Sequence, residues 1–392
     1  MPKILRILNR FNLGGPTYNA AYLTKYLSPN FETLLVGGEI DKSEATSMHI
    51  TDRLGISPVI IPEMKREISP INDYIAYHKI KKIIADFKPD IVHTHASKSG
   101  ILGRLAAAKM NVPVIVHTFH GHVFHSYFGK YKSKLYQKIE HFAAQKSNAI
   151  IAISEKQKHE LSNIYHICNA KKIHVIPLGF ELEKFNTNKE EKRNKFRTSW
   201  NLNESEIAIG IIGRLVPIKN HKLFIDVIKK VNEKTTKNIR AFIVGDGELR
   251  NELENYCNTI NLSYSNNTTP APITFTSWIK EIDEAIAGMD IIALTSFNEG
   301  TPVSLIEAQA ASKPIVTTSV GGIEDIVIEN ETALFAPSNN KEIFVEKLLK
   351  LIELDDLRKQ MSLKGWEFIN QKYSYNRLKA DMEQLYLSLL HH

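Results

Sequence analysis

The 392-residue sequence predicts an α/β protein made of two doubly wound, Rossmann-like domains, and three observations carry that prediction. The chain is longer than one compact core ordinarily holds, so two domains are expected. Short runs rich in Ile and Val alternate with stretches of helix length, the pattern of parallel strands buried on both faces. Residues 176–195 interrupt the alternation, opening on Pro-Leu-Gly and ending in a highly charged, Asn-containing run. That break sets a hinge near residue 178, with one domain over 1–178 and a second beginning at 179.

In the first half, strands are expected over 3–8, 32–37, 57–62, 90–95, 113–119 and 149–154. A second series starts with HVIPL at 174–178 and continues over 207–213, 240–246, 273–277, 290–296, 314–319 and 333–337. Residues 74–87 and 341–361 show helical periodicity. Each half opens with a strand running into a Gly-containing loop, KILRILNRFNLGGP and IAIGIIGRLVPIKNH. Two such domains would face each other across a cleft, with ligands at the carboxyl ends of the strands.

With 43% hydrophobic and 24% charged residues, the composition is that of a soluble globular protein. No apolar run reaches transmembrane length, and MPKILRILNRF is too short and too interrupted by Lys3, Arg6 and Arg10 for a signal peptide. The two cysteines, Cys168 and Cys257, fit no metal-ligand spacing and read as core residues of a reducing cytoplasm. The net charge of +7 is uneven: residues 1–175 hold 24 Lys and Arg against 13 Asp and Glu, and residues 176–392 hold 26 against 30. A basic first half implies an anionic partner; nucleic acid, lipid headgroups and a phosphorylated substrate all satisfy it.

Gly14 and Gly15 follow the first strand and precede a helix, where backbone N–H groups could meet an anion; a tight turn without a ligand fits equally. Neither GxGxxG nor GxxxxGK[ST] occurs, which argues against a nicotinamide-dependent dehydrogenase and a P-loop enzyme. Arg214 and Lys219 follow the first strand of the second domain and suit a diphosphate, Arg as a fork and Lys as a point charge.

The stretch SFNEGTPVSLIEAQAA places Glu299 in a strand-to-helix loop and Glu307 near the second turn of the following helix. Thr301 and Pro302 are expected to be N-cap and first helical residue, which separates the two acids. They do not read as an acid/base couple of the kind a glycosidase needs. In HTFHGHVFH, His117, His120, His122 and His125 lack the spacing of a metal site, and one or two are expected to line the ligand cleft. Phe124, Phe128, Tyr131 and Leu135 interleave with Lys130, Lys132, Lys134 and Lys138, a mixture that suits a peripheral membrane contact through 124–138 or an ordinary surface helix.

Taken together the motifs resemble family 4 of the retaining glycosyltransferases, with its GT-B architecture, over nearly the whole chain. The most specific is NEGTPVSLIEAQAASKPIVTTSVGGIEDIV (298–327), similar to the family's E-x7-E region with its trailing Gly-Gly. GGP, DIVHTHASKSGILGRLAA, VHTFHGH, GRLVPIKN and VGDGEL fall in the expected order. The resemblance implies that Arg214 and Lys219 bind the donor diphosphate, Glu307 the ribose and Glu299 the donor sugar. It further implies that the N–H groups of Gly300, Thr301 and Val303 hold phosphate or sugar, Pro302 having none. His120 would lie near the sugar, Gly14 and Gly15 beside the phosphates, and Trp278 or Ile279 by the base. By the same resemblance the first domain binds the acceptor, 179–372 binds the donor, and 373–392 forms a helix packing back on the first domain. Ser277 and Ser312 depart from positions where relatives commonly carry glycine.

The implied activity is retaining glycosyl transfer from a nucleotide-sugar, UDP-linked by preference, to a saccharide or polyprenyl-diphosphate-linked acceptor in cell-surface polysaccharide synthesis. The nucleotide-sugar is a substrate, and no cofactor, metal or nucleic acid is expected. Fixed cations and helix N–H groups would stabilise the leaving diphosphate. The place implied is the cytoplasm, at the inner face of the membrane. A sugar-nucleotide epimerase or a transferase making a soluble disaccharide would use the same scaffold. From another class, a nucleic-acid-binding protein would explain the basic first half.

Overall fold

The computed structural model describes residues 1–12, 15–40, 46–65, 67–120 and 130–391, with side chains from 133 onward in the last stretch. The chain divides into two units, Met1–Phe180 with Tyr373–His392, and Glu181–Lys372.

The first unit holds a seven-stranded sheet of β1 (Lys3–Arg10), β2 (Glu32–Gly38), β3 (Val59–Ile60), β4 (Ile91–His95), β5 (Val114–Phe119), β6 (Ala149–Ala152) and β7 (Ile173–Val175). Their order is β3-β2-β1-β4-β5-β6-β7, and each neighbouring pair is parallel. Two-residue alternation sends Ile4 and Leu5 to opposite faces, each into its own core. Leu5, Ile7 and Val92 pack on Ala76, Ile80 and Ile84 of helix Pro70–Phe87 and on Ala106 and Ala107 of helix Ser97–Lys109. Ile4, Ile91 and Val116 pack on Leu23 of helix Gly15–Tyr26 and on Leu378, Met382 and Tyr386 of helix Tyr375–Leu390. Stacked rings of Tyr22, Tyr26 and Tyr375 join those last two helices.

The second unit repeats the design with β8 (Ile207–Ile212), β9 (Ile239–Val244), β10 (Tyr264–Ser265), β11 (Ile273–Ser277), β12 (Ile291–Leu294), β13 (Ile315–Thr318) and β14 (Ala333–Ala336), in the order β10-β11-β9-β8-β12-β13-β14. Both sheets reverse direction beside their first strand, the place where doubly wound folds bind ligands.

Two expectations need correction, and one strand has no counterpart among those expected. HVIPL does not open the second series: its strand, β7, pairs with β6 through Ile150 and Ile173. The polar segment 261–272 contains an edge strand, β10, whose Tyr264 pairs with Ile273. Residues 341–361 are not one helix; Lys341–Glu353 and Asp355–Tyr373 meet at Leu354, whose φ of −106° and ψ of 89° end the first.

Candidate functional site

In the second unit the loops after β8 and β12 are tied together by their own backbones. A 3-10 turn, Pro217–Lys219, follows β8, and left-handed Asn220 leads into helix His221–Lys234. Thr295, just past β12, donates its hydroxyl to the carbonyls of Lys219 and Asn220, both at 3.0 Å. The Phe297 N–H donates to the Ile218 carbonyl at 2.8 Å.

These ties bring Lys219 to Glu299, with Nζ 2.6 Å from Oε1. Ser296 Oγ donates to the same oxygen at 2.5 Å, a short bond of the charge-assisted kind. Oε2 has no hydrogen-bond partner among the described residues. Arg214 is exposed, and its side chain makes no hydrogen bond or ion pair among the described residues. Its guanidinium is therefore an open fork beside a pair whose charges already offset each other.

The trailing Gly321-Gly322 forms the floor of the Glu299 loop. A Cβ on Gly321 would stand 2.0 Å from the Glu299 carbonyl oxygen, and one on Gly322 2.0 Å from that of Gly300. Gly321 also has φ of 60°, a conformation that costs other residues strain. The Gly322 N–H donates to the Glu299 carbonyl at 2.9 Å. Gly300 has open space about it.

The helix that follows is Val303–Ala310. Pro302, at φ −69° and ψ 101°, occupies its N-cap, so Thr301 is not the cap and Pro302 is not the first helical residue. Proline brings no side-chain acceptor, and the N-cap makes no side-chain hydrogen bond, leaving the first turn's N–H groups at Val303 and Ser304 open to an anion. Glu307 lies one turn further on. Burial pushes its carboxyl up to about 7; Lys184 opposes this and Asp283 adds to it. Its side chain is partly buried and its carboxylate makes no hydrogen bond among the described residues, so it is not the freely solvated helix glutamate that its position alone would suggest.

Trp278 is 61% exposed and Ile279 partly buried, both beyond β11. Ser277 has φ of 58°. Its hydroxyl donates to Asp246 Oδ2 at 2.8 Å and accepts from Arg250 at 3.2 Å. Ser312, also at φ 58°, ends the Val303–Ala310 helix and accepts from Lys189 Nζ at 3.2 Å. Both positions take the left-handed conformation that glycine enters without strain, which agrees with the glycine expected at each.

In the first unit, strand β4 ends in His95 and its neighbour β5 is followed directly by His120. His95 Nδ1 lies 2.8 Å from His120 Nε2, and burial holds His120 at about 3. His117 points elsewhere, with Nδ1 2.8 Å from Thr94 Oγ1. His93 bonds to Arg6, Tyr386 and Thr118. Gly15 begins its helix with Leu178 nearby; Gly14, His122, His125, Phe124, Phe128 and the side chains of Lys130, Tyr131 and Lys132 lie outside the described residues.

Three polar groups escaped the sequence reading. Ser296 has no local signal, because only the fold carries its hydroxyl to Glu299. His221 lies two residues past Lys219 and is buried, with both ring nitrogens unpartnered; burial and then Lys219 lower it to about 4. His95 was legible in HTH, since two-residue spacing puts it on the face of His93.

The family model for group 1 glycosyl transferases matches residues 192–367, and that for Glycosyltransferase Family 4 matches 14–184. A relative from Escherichia coli is 31% identical over 78% of this chain and 77% of its own; it is the UDP-Gal:alpha-D-GlcNAc-diphosphoundecaprenol alpha-1,3-galactosyltransferase. The capsular polysaccharide biosynthesis glycosyltransferase CapM of Staphylococcus aureus is 28% identical over 84% of this chain and 85% of its own. Among solved structures, Anabaena HepE in complex with UDP superposes with a TM-score of 0.81 at 16% identity, covering 98% of this chain and 100% of that one. Two seven-stranded parallel sheets, the paired acids of the E-x7-E stretch and these matches lead to one conclusion: the chain belongs to family 4 of the glycosyltransferases and has the GT-B fold.

Proposed function

We propose that this glycosyltransferase moves a sugar, with retention of anomeric configuration, from a UDP-sugar to a polyprenyl-diphosphate-linked saccharide during synthesis of a cell-surface polysaccharide. The observation that carries the donor site is the convergence of free Arg214, the Lys219–Glu299–Ser296 cluster and the uncapped start of helix Val303–Ala310. Arg214 and Lys219 neutralise the diphosphate as it leaves, and the N–H groups from Gly300 to Val303 add to that field. Glu299 accepts a sugar hydroxyl through its open Oε2, Glu307 takes the ribose, and Trp278 or Ile279 borders the base. No metal is required, because fixed cations supply the charge. The departing phosphate oxygen takes the proton of the attacking hydroxyl.

The acceptor follows from the Escherichia coli relative, whose name specifies a diphosphoundecaprenol-linked GlcNAc. No described helix is long and apolar enough to cross a membrane, so a lipid-linked acceptor calls for peripheral contact. Within 124–138, Leu135 is 58% exposed between exposed Lys134 and Lys138, which supports contact with an anionic surface. The test is transfer from radiolabelled UDP-galactose and other UDP-sugars to diphosphoundecaprenol-linked GlcNAc. Labelled lipid with retained configuration is expected. Turnover unchanged in both Arg214→Ala and Glu307→Ala would overturn the site.

A further inference from the structure

Loops leave the carboxyl ends of β8, β9 and β11, and Asp246, in the β9 loop, holds the other two. Its carbonyl accepts the Leu215 N–H at 3.0 Å, next in sequence to Arg214. Its carboxylate Oδ2 accepts the Ser277 hydroxyl at 2.8 Å, next in sequence to Trp278. The other carboxylate oxygen, Oδ1, accepts the Gly247 N–H at 2.8 Å. The direction of the serine bond is fixed by its second partner. Arg250, which only donates, reaches Ser277 Oγ at 3.2 Å, so the single hydroxyl proton goes to Asp246. The hydroxyl also fills a gap, because Arg250 Nη1 lies 3.8 Å from Asp246 Oδ2, too far for a direct hydrogen bond.

The backbone around this tie has little slack. A Cβ on Gly245 would stand 2.0 Å from the Gly213 carbonyl oxygen, and one on Gly247 2.6 Å from that of Leu215. The Gly213 N–H donates to the Val244 carbonyl and the Gly245 N–H to the Ser277 carbonyl, both at 3.0 Å. Arg214 therefore sits between two residues pressed against the β9 loop, while its own side chain stays free. Ser277 holds φ of 58°, which glycine would adopt without strain. A glycine there would keep the backbone path and lose both side-chain bonds.

We propose that Ser277 and Asp246 are positioning residues that fix the spacing between the two ends of the donor-nucleotide site, Arg214 at the diphosphate and the Trp278–Ile279 segment at the base. A nucleoside diphosphate spans both ends and feels that spacing; a ligand that uses one end does not. The proposal rests on the transferase reading for its ligand, but the coupling of the two loops does not.

Amide hydrogen exchange tests the coupling without any ligand. In Ser277→Gly the Leu215 amide should exchange faster, because the carbonyl that holds it belongs to the residue the serine anchors. Unchanged exchange would overturn the coupling. Titration calorimetry tests the role. Ser277→Gly should weaken UDP binding by about threefold to tenfold, the scale of one net hydrogen bond, without a fall in melting temperature. Uridine and inorganic pyrophosphate, each using one end, should bind wild type and variant alike by ligand-observed NMR. Uridine weakened as much as UDP would place the effect in the base loop alone and overturn the spacing role. So would a lower melting temperature with UDP affinity unchanged. Asp246→Asn, whose side-chain oxygen and amide can still meet both neighbours, should keep most of the affinity that Asp246→Ala loses. In the Asp246→Ala background Ser277→Gly should cost nothing further, and a full-sized loss there would also overturn the proposal. If the wild-type protein binds no UDP, the transferase reading fails while the exchange result still decides the coupling.

Discussion

Replacing Glu307 with Gln should make the second unit more stable, by a margin that grows above about pH 4.5 and is complete above about pH 7. The carboxyl rises from 4.5 to about 7 in the folded chain, mainly through burial. Between those values the folded state holds a proton that the unfolded state has released. Stability therefore falls as pH rises from about 4.5 to about 7, and the penalty is fully present above that. At about 1.4 kcal/mol for each tenfold, the penalty is about 3 kcal/mol. Glutamine keeps the shape without the charge. At pH 8 the variant should melt roughly 6–12 °C higher, at the 2–4 °C per kcal/mol expected of a unit this size. At pH 4.5 the two proteins should coincide. Differential scanning calorimetry at both pH values is the measurement. An equal gap at both, or a variant that is less stable at pH 8, refutes the buried, unpaired carboxyl. The same residue predicts the pH dependence of binding. If Glu307 takes the ribose as proposed, the diol would donate to its ionised form, so UDP-glucose affinity should climb through about pH 7 in the wild type and stay flat in Glu307→Gln. UDP-glucose is the appropriate ligand because its diphosphate is esterified at both ends and does not titrate there.

Arg214→Ala should raise the donor KM by about tenfold to a hundredfold, the loss of a charge-assisted hydrogen bond, and leave the melting temperature within a degree, because Arg214 holds nothing in the unliganded fold. Donor titrations at two salt concentrations would show the variant less salt-sensitive than the wild type. Gly321→Ala should cost on the order of 1–3 kcal/mol and displace the Glu299 loop, because the added methyl meets a carbonyl oxygen and the φ is unfavourable; chemical denaturation and kcat are the readouts. Tyr386→Phe should cost about 1 kcal/mol through the bond to buried His93, measured as an earlier melt.

Most of the strand framework was legible because β4, β5, β8, β9 and β12 are buried along their whole length and therefore carry runs of Ile, Val and Ala, interrupted by polar residues only at His93, Thr94, His95, His117, Thr118 and Arg240. β10 was not, since two residues of an edge strand inside NLSYSNNTTPAP leave no pattern. The sheet to which β7 belongs was equally hidden, because membership depends on pairing with β6 and not on anything local to HVIPL. The same limit applies to the acids. The loop position of Glu299 followed from strand, glycine and proline, whereas the burial of Glu307 involves Lys184 and Asp283, both distant in sequence. His95 and His120 meet because β4 and β5 pair with His95 opposite Thr118, a register that the sequence of neither strand specifies.

Lys219 and Arg214 look alike in the sequence, but in the proposed donor site they would do different work. Arg214 is exposed and unpaired. Lys219 is four-fifths buried, with its ammonium held at 2.6 Å from an acid that Ser296 also holds. An incoming diphosphate can bind Arg214 at no cost in existing contacts, but it must share Lys219 with Glu299. As the leaving group gains negative charge, the balance shifts towards phosphate, and Glu299 is left freer to accept from the sugar's hydroxyls. The ion pair thus keeps both groups in place before substrate arrives and makes the pull of Lys219 on phosphate strongest when charge has developed, which is where an interaction accelerates reaction. Lys219→Ala should therefore lower kcat more than it raises the donor KM, the reverse of Arg214→Ala. Steady-state kinetics of the two variants side by side check this, and the same split of kcat and KM in both would show that the two cations share one role.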